Sequence, residues 1–155
     1  MRLAGETRSR IVEEIVSVSR TPGIAGIQID FDALKSQRAF YRGLLLELRE
    51  KLPSGLKLSI TALASWCVFD DWISDLPIDE AVPMLFRLGA GEEEIGRYLA
   101  QGNDFRAAIC KHSVGISTDE PFPKLRARRR VYVFNPHRWD AASLRAVMKK
   151  VEVTQ

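Results

Sequence analysis

Two short stretches of the sequence carry acids at a spacing that could do chemistry. In "GIQIDFDA", residues 26–33, Gln28, Asp30 and Asp32 alternate with Ile27, Ile29 and Phe31. Alternate residues of a strand share a face, so this polar file aims one way, with neighbouring Cα atoms roughly 6–7 Å apart. Two carboxylates held that close repel, and burying either without a partner is costly. Such a file ends either in solvent or in a site. In "GISTDEP", Asp119 and Glu120 directly follow a second apolar run. Glycosidic-bond cleavage generally needs two carboxyl groups, one to protonate the leaving oxygen and one to act as nucleophile or base. Asp32 fits the nucleophile or charge stabiliser, Asp30 a neighbour that tunes it, and Glu120 or Asp119 the proton donor. The plainer alternatives are a core salt bridge for Asp30 and a polar turn for Asp119-Glu120-Pro121.

Other residues near the ends of apolar runs could hold a ligand. Trp66 and Trp139 offer flat rings for a sugar face and an indole N–H to donate, although rings at such positions can equally cap a core. Arg87 could clamp an anionic group or pair with Asp30 or Asp32, and Asn135, in phase with Val131 and Val133, could reach a hydroxyl. His137 could shuttle a proton. A third chemistry would place magnesium or calcium on Asp30, Asp32 and Asp119. With only His112 and His137, and no C-x-x-C, a zinc site is not expected, and no cofactor is implied.

These residues need a scaffold, and the apolar pattern supplies one. Five strand-like runs, "IAGIQIDF", "LKLSITAL", "AVPMLFRLG", "SVGIST" and "RVYVFN", are separated mostly by helix-like stretches. A leading helix precedes them, with Ile11, Ile15 and Val18 in phase. A second helix follows the first strand, with Phe40, Leu44, Leu45 and Leu48 on one face. An acidic helix start lies at "GEEEIGRYLAQG", and a last helix begins after Asp140, its expected N-cap. Strands apolar on both faces and joined by helices predict a parallel α/β sheet. Two architectures fit: an open doubly wound sheet, or part of a (β/α)8 barrel. The doubly wound form usually advertises a glycine-rich phosphate turn, which is missing. Polar residues instead gather after successive strands, where a barrel builds its active site. A partial barrel of about five parallel strands, one domain over residues 1–155, is the expectation.

Composition excludes several classes. The chain is 46% hydrophobic and 28% charged, with a formal net charge of +3. That balance does not call for nucleic acid, and the one basic run, "KLRARRR", lacks interleaved aromatics and is expected to be a solvated connection. No apolar stretch is long enough to span a bilayer, and "MRLAGETRSRIVEEIV" lacks the apolar core of a signal peptide. The chain as it stands is therefore expected in the cytoplasm, with Cys67 and Cys110 as free thiols.

The blocks "IQIDFDA", "FYRGLL", "LSITALASWC", "DEAVPMLFRLG", "GISTDEP" and "RRVYVFNPHRW" together resemble a bacterial family known as domain of unknown function three-one-four-two. The resemblance runs from about Ile24 to Trp139. It implies a (β/α)8 barrel related in architecture to glycoside hydrolases, hence a carbohydrate ligand; the alternative is a binding or scaffold domain without catalysis. Family members carry further N-terminal barrel strands, often behind an export or lipoprotein signal. By that alignment the five strands here are the fourth to the eighth, and the chain is the C-terminal part of a barrel. The expected consequences are a homo-oligomer or a complementing N-terminal barrel fragment as partner.

Overall fold

The computed structural model describes residues 2–121 and 128–154. Helix α1 (Arg2–Ser19) leads into strand β1 (Gly26–Ile29), and a short 3-10 turn enters helix α2 (Arg38–Lys51). Strand β2 (Lys57–Leu63) runs straight into helix α3 (Ala64–Val68). Strand β3 (Glu80–Met84), helix α4 (Glu92–Ala100), strand β4 (Ser113–Ser117), strand β5 (Arg130–Phe134) and helix α5 (Ala141–Thr154) complete the order.

All four strand pairings are parallel, and the spatial order β1-β2-β3-β4-β5 is the sequence order. A doubly wound sheet reverses its strand order at a switch point. This one never reverses, and it curls into half a barrel with helices interspersed. β1 and β5 each have one paired side within the sheet.

The register assigns the two faces. Leu58, Ile60, Ala62, Ala81, Val114 and Ile116 point outward and are buried beneath the helices. The concave face carries Gln28, Ser59, Glu80, Thr61, Met84, Gly115, Ser117, Tyr132 and Phe134. Helix α2 seals the outer layer through Tyr41, Leu44, Leu45 and Leu48, all buried. Each such aliphatic side chain contributes about 1.5–3 kcal/mol on full burial. Helix α1 packs through Val12 and Val16 rather than through the Ile11-Ile15-Val18 stripe that periodicity favours; Ile11 and Ile15 are partly buried and Val18 is exposed. The same helix lies beside the free side of β1, where Ile15, Val18, Ile27 and Ile29 line a groove.

Arginines on α2 reach the loops around β3. Arg38 pairs with Asp70, Arg42 with Asp75 at 2.8 Å, and Arg49 with Asp79 at 2.7 Å. Asp79 also accepts from Lys57 at 3.0 Å and from the Leu58 main-chain N–H at 2.9 Å. These bonds hold its carboxyl at about 2, well below the ordinary carboxylate range, the Leu58 N–H contributing most. Asp140 caps α5 as expected: its Oδ1 accepts from the Ser143 N–H at 2.7 Å, and Ser143 Oγ accepts from the Asp140 N–H at 3.1 Å.

Two expectations are corrected here. Cys67 and Cys110 are not free thiols but a disulfide with Cα atoms 6.0 Å apart, joining α3 to the segment before β4. The basic run is not wholly solvated either. Arg129 is buried, ion-paired with Asp104 and stacked 5.2 Å from the Phe105 ring, while Arg130 reaches Glu80 at 3.3 Å. Lys124 and Arg126 lie outside the described residues. No helix of the described residues is long and apolar enough to cross a membrane.

Candidate functional site

The carboxyl ends of the strands surround a cleft of about 480 Å³. Its floor is apolar. Phe134 lies 5.2 Å from Phe86, Met84 sits beside them, and Gly115 makes the arrangement fit. A methyl group at 115 would stand 3.1 Å from the Phe134 ring. The rim is polar, with Asp30 and Asp32 after β1, Ser65 after β2, Arg87 after β3, Ser117 at the end of β4 and Asn135 after β5.

The polar file of β1 is answered by a second file on β2. Gln28 Nε2 donates to Ser59 Oγ at 3.3 Å, and Thr61 Oγ1 donates to Asp30 Oδ1 at 2.7 Å. Thr61 is buried, so its single proton fixes the orientation of Asp30. Asp32 lies beyond the last ladder pair and has no hydrogen-bond donor among the described residues. Its carboxyl is pushed above the usual range, first by burial and then by the charge of Asp30. A carboxyl held in its neutral form more readily is suited to giving up a proton in catalysis.

Across the cleft, Arg87 adopts the left-handed backbone conformation, φ 52°. A non-glycine residue there is strained by roughly 1–3 kcal/mol, and such strain gathers at functional sites. Glu120 secures it: the Arg87 main-chain N–H donates to both Glu120 carboxylate oxygens, at 3.1 and 3.2 Å. The Arg87 guanidinium stands 3.6 Å from Asp119. Ser117 Oγ donates to Asp119, and that bond, with the nearby Arg87 charge, lowers the Asp119 carboxyl below its ordinary value. Asp119 and Glu120 thus act on the wall through Arg87 and Ser117, which do line the cleft. Asn135 is held by Thr118, whose Oγ1 donates to Asn135 Oδ1 at 2.7 Å, and the His137 main-chain N–H reaches the same oxygen at 3.4 Å.

The tryptophans part from expectation. Trp66 is only 4% exposed, in edge-to-face contact with Trp72 at 4.9 Å. Helix α3 begins immediately after β2 and carries the ring into the core, where it cannot stack on a ligand. Trp139 is 48% exposed and lies outside the cleft lining. The aromatic surface facing the cleft comes instead from Phe86 and Phe134. Their signal in the sequence was alternation with Met84 and with Tyr132, legible only once the register is known. No group of three or more His, Cys, Asp or Glu side chains among the described residues is arranged to hold a metal ion, so Asp30, Asp32 and Asp119 do not converge as the magnesium or calcium reading requires.

The model of a domain of unknown function, DUF3142, matches residues 4–83, just over half of the chain. The chain belongs to the DUF3142 family. The matched part runs from α1 through most of β3 and contains Asp30, Asp32 and Thr61. Arg87, Ser117, Asp119, Glu120 and Asn135 lie beyond it, so about one third of the cleft lining comes from the matched segment and two thirds from the rest. No curated protein and no solved structure matches the chain. Family membership brings no activity with it, and function has to be read from the cleft itself.

Proposed function

We propose that the cleft binds a carbohydrate and that the protein is a glycoside-hydrolase-like half-barrel with Asp32 as its acid. The observation that carries this reading is the pairing of an apolar floor, Met84, Phe86 and Phe134, with a rim of carboxylates, a hydroxyl and an amide. Sugars present the same pairing: C–H faces that lie on apolar surface, and hydroxyls that exchange hydrogen bonds with acids and amides. The electrostatics favour roles different from those the spacing alone favoured. Asp32, with its raised carboxyl, is the better proton donor, and Asp119, held anionic by Ser117 and Arg87, is the better charge stabiliser. Glu120, occupied by the Arg87 N–H, positions the wall. Asn135 is placed to meet a ligand hydroxyl, and Arg87 to meet an acidic substituent.

The test is a panel of neutral and acidic oligosaccharides, scored for binding by NMR shift perturbation and for hydrolysis by product analysis. The expected result is binding that perturbs Met84, Phe134 and Asn135, with turnover abolished in Asp32→Asn. Binding without turnover would favour the second reading, a carbohydrate-binding domain without catalysis; no binding at all would sink both.

Two further expectations belong to the same reading. The free sides of β1 and β5 support a partner that supplies strands, either a second copy or a complementing barrel fragment. Light scattering on the chain alone and with such a fragment separates these, and a stable monomer indifferent to the fragment would discard both. The disulfide supports an oxidising compartment in place of the cytoplasm expected from the amino terminus.

A further inference from the structure

The cleft carries its charge unevenly. Its lining holds two acids, Asp30 and Asp32 after β1, and among the described residues one base, Arg87 after β3. The arginines of α2 close on their acids: Arg42 reaches Asp75 at 2.8 Å and Arg49 reaches Asp79 at 2.7 Å. Arg87 instead stands 3.6 Å from Asp119, with its side chain 64% exposed. That separation exceeds the roughly 2.7–2.9 Å of a charge-assisted hydrogen bond. The two acids behind Arg87 are engaged elsewhere. Glu120 gives both oxygens to the Arg87 main-chain N–H, and Asp119 accepts the Ser117 hydroxyl. Neither acid lines the cleft, so a ligand meets the guanidinium first. The adjoining wall has the same polarity. Gly91, also in the lining, precedes α4 and offers no side-chain cap to that helix's first main-chain N–H groups, which carry partial positive charge. Glu92, Glu93 and Glu94, the acids of that first turn, are exposed and outside the lining. Among the described residues Arg87 is the one non-glycine with a positive φ, so the fold sustains backbone strain where its cation meets the cleft.

We propose that Arg87 is the specificity-determining residue of the cleft and that the sugar it selects is a uronic acid, its carboxylate lying against the guanidinium. This assignment rests on the reading of the cleft as a carbohydrate site and names the class of sugar. A guanidinium is planar and offers a carboxylate two parallel N–H donors, a match that a neutral hydroxymethyl group cannot make. Phe86 and Phe134 lie in the same lining and supply the apolar surface for the C–H face of the ring. Asp30 and Asp32 repel a carboxylate, so the ligand is oriented with its acid away from them and towards Arg87. Glu120 is a positioning residue: it touches no ligand and acts through the Arg87 main chain.

The test is calorimetric titration at low salt with oligomers of glucuronate, galacturonate and mannuronate, each beside its carboxyl-reduced neutral counterpart. At least one acidic oligomer should bind about tenfold tighter than its counterpart, as expected for a hydrogen bond to a charged group, and the preference should shrink at high salt. Asparagine tolerates the left-handed backbone and carries no charge, so the preference should vanish in Arg87→Asn. Glu120→Ala should weaken the preference and move the Arg87 amide proton upfield, and Glu120→Gln, which keeps one acceptor oxygen, should restore part of both. Equal affinity within every pair, or a preference that survives in Arg87→Asn, would overturn the proposal and leave the carbohydrate reading standing. Binding of neutral oligomers alone would do the same, and no binding of either kind would overturn both. Should Arg87→Asn fail to fold, the wild type decides with its preferred acidic oligomer and the methyl ester of that oligomer: an ester bound as tightly as the free acid would overturn the proposal.

Discussion

Asp32 and Asp79 sit at opposite ends of the same sheet and are treated in opposite ways. Asp79, just before β3, takes a main-chain N–H, a guanidinium and an ammonium, and its carboxyl titrates at about 2. Asp32, just after β1, takes no bond from the described residues and is driven upward by burial and by Asp30. One carboxylate is an anchor whose ionised form the fold stabilises; the other is held in an environment that opposes its ionisation. At the amino end of β3 the acid is fully paired, whereas past the carboxyl end of β1 Asp32 takes no donor from the described residues, with Arg87 at φ 52° as its backbone counterpart across the cleft. A barrel divides its labour in the same way, with stability at one face and chemistry at the other.

The contrast can be broken in several ways. The largest expected effect is on the scaffold common to both ends. Replacing Cys67 and Cys110 together by serine releases a loop with a sequence separation of 43 residues; loop entropy gives a loss of about 4 kcal/mol, read from urea unfolding. A midpoint unchanged from the wild type would mean the bridge is not formed. Asp79→Asn should cost about 1–2 kcal/mol after allowance for solvent screening, because three donors lose their charged acceptor. Gly115→Ala should cost about 1 kcal/mol by crowding Phe134, and it should weaken any ligand bound on that ring; unaltered stability and binding would remove Gly115 from the account of the cleft floor.

Asp32→Asn should have the smallest effect and the opposite sign, a modest rise in Tm at neutral pH alongside loss of function. A fall in Tm would show that Asp32 is a structural anchor like Asp79. The pH dependence separates the two acids without mutation. The Asp79 contribution is complete above its ordinary value of 3.8 and is lost as pH falls from there towards 2. The Asp32 penalty is absent at low pH and grows as pH rises through 3.8 and above, since its folded carboxyl is raised. Unfolding free energies measured from pH 2 upward should therefore lose slope in the Asp79→Asn protein below pH 4, and gain stability in Asp32→Asn above it.

How much of this could be read from the residues depends on the range of the interaction. The five strands were legible because each is a short apolar run with a turn at its end, and the Asp140 cap because it acts over three residues. The position of Asp30 and Asp32 at a strand end was legible from alternation alone, as was the absence of a glycine-rich phosphate loop. Long-range partners were not. Nothing local in "RAFYRGLLLELR" tells Arg38, Arg42 and Arg49 that their acids lie about thirty residues on. The Cys67–Cys110 bond follows no motif spacing, and Arg129 looked solvated because its burial depends on Phe105 and Asp104 from another part of the chain. Trp66 was misplaced for a local reason: a helix that begins at the next residue after a strand rotates side chains away from the strand's inward direction.

The disulfide also decides what a cut would do. It spans β3 and α4, the segment that bears the strained Arg87 wall and the exposed stretch around Gln101 and Asn103. Exposed loop tips of small and polar residues are where proteases nick first. A single nick there would leave two fragments that stay covalently joined, each carrying part of the cleft, and they would part on a gel only after reduction. The bridge would in that sense hold the molecule together across a cut in this stretch.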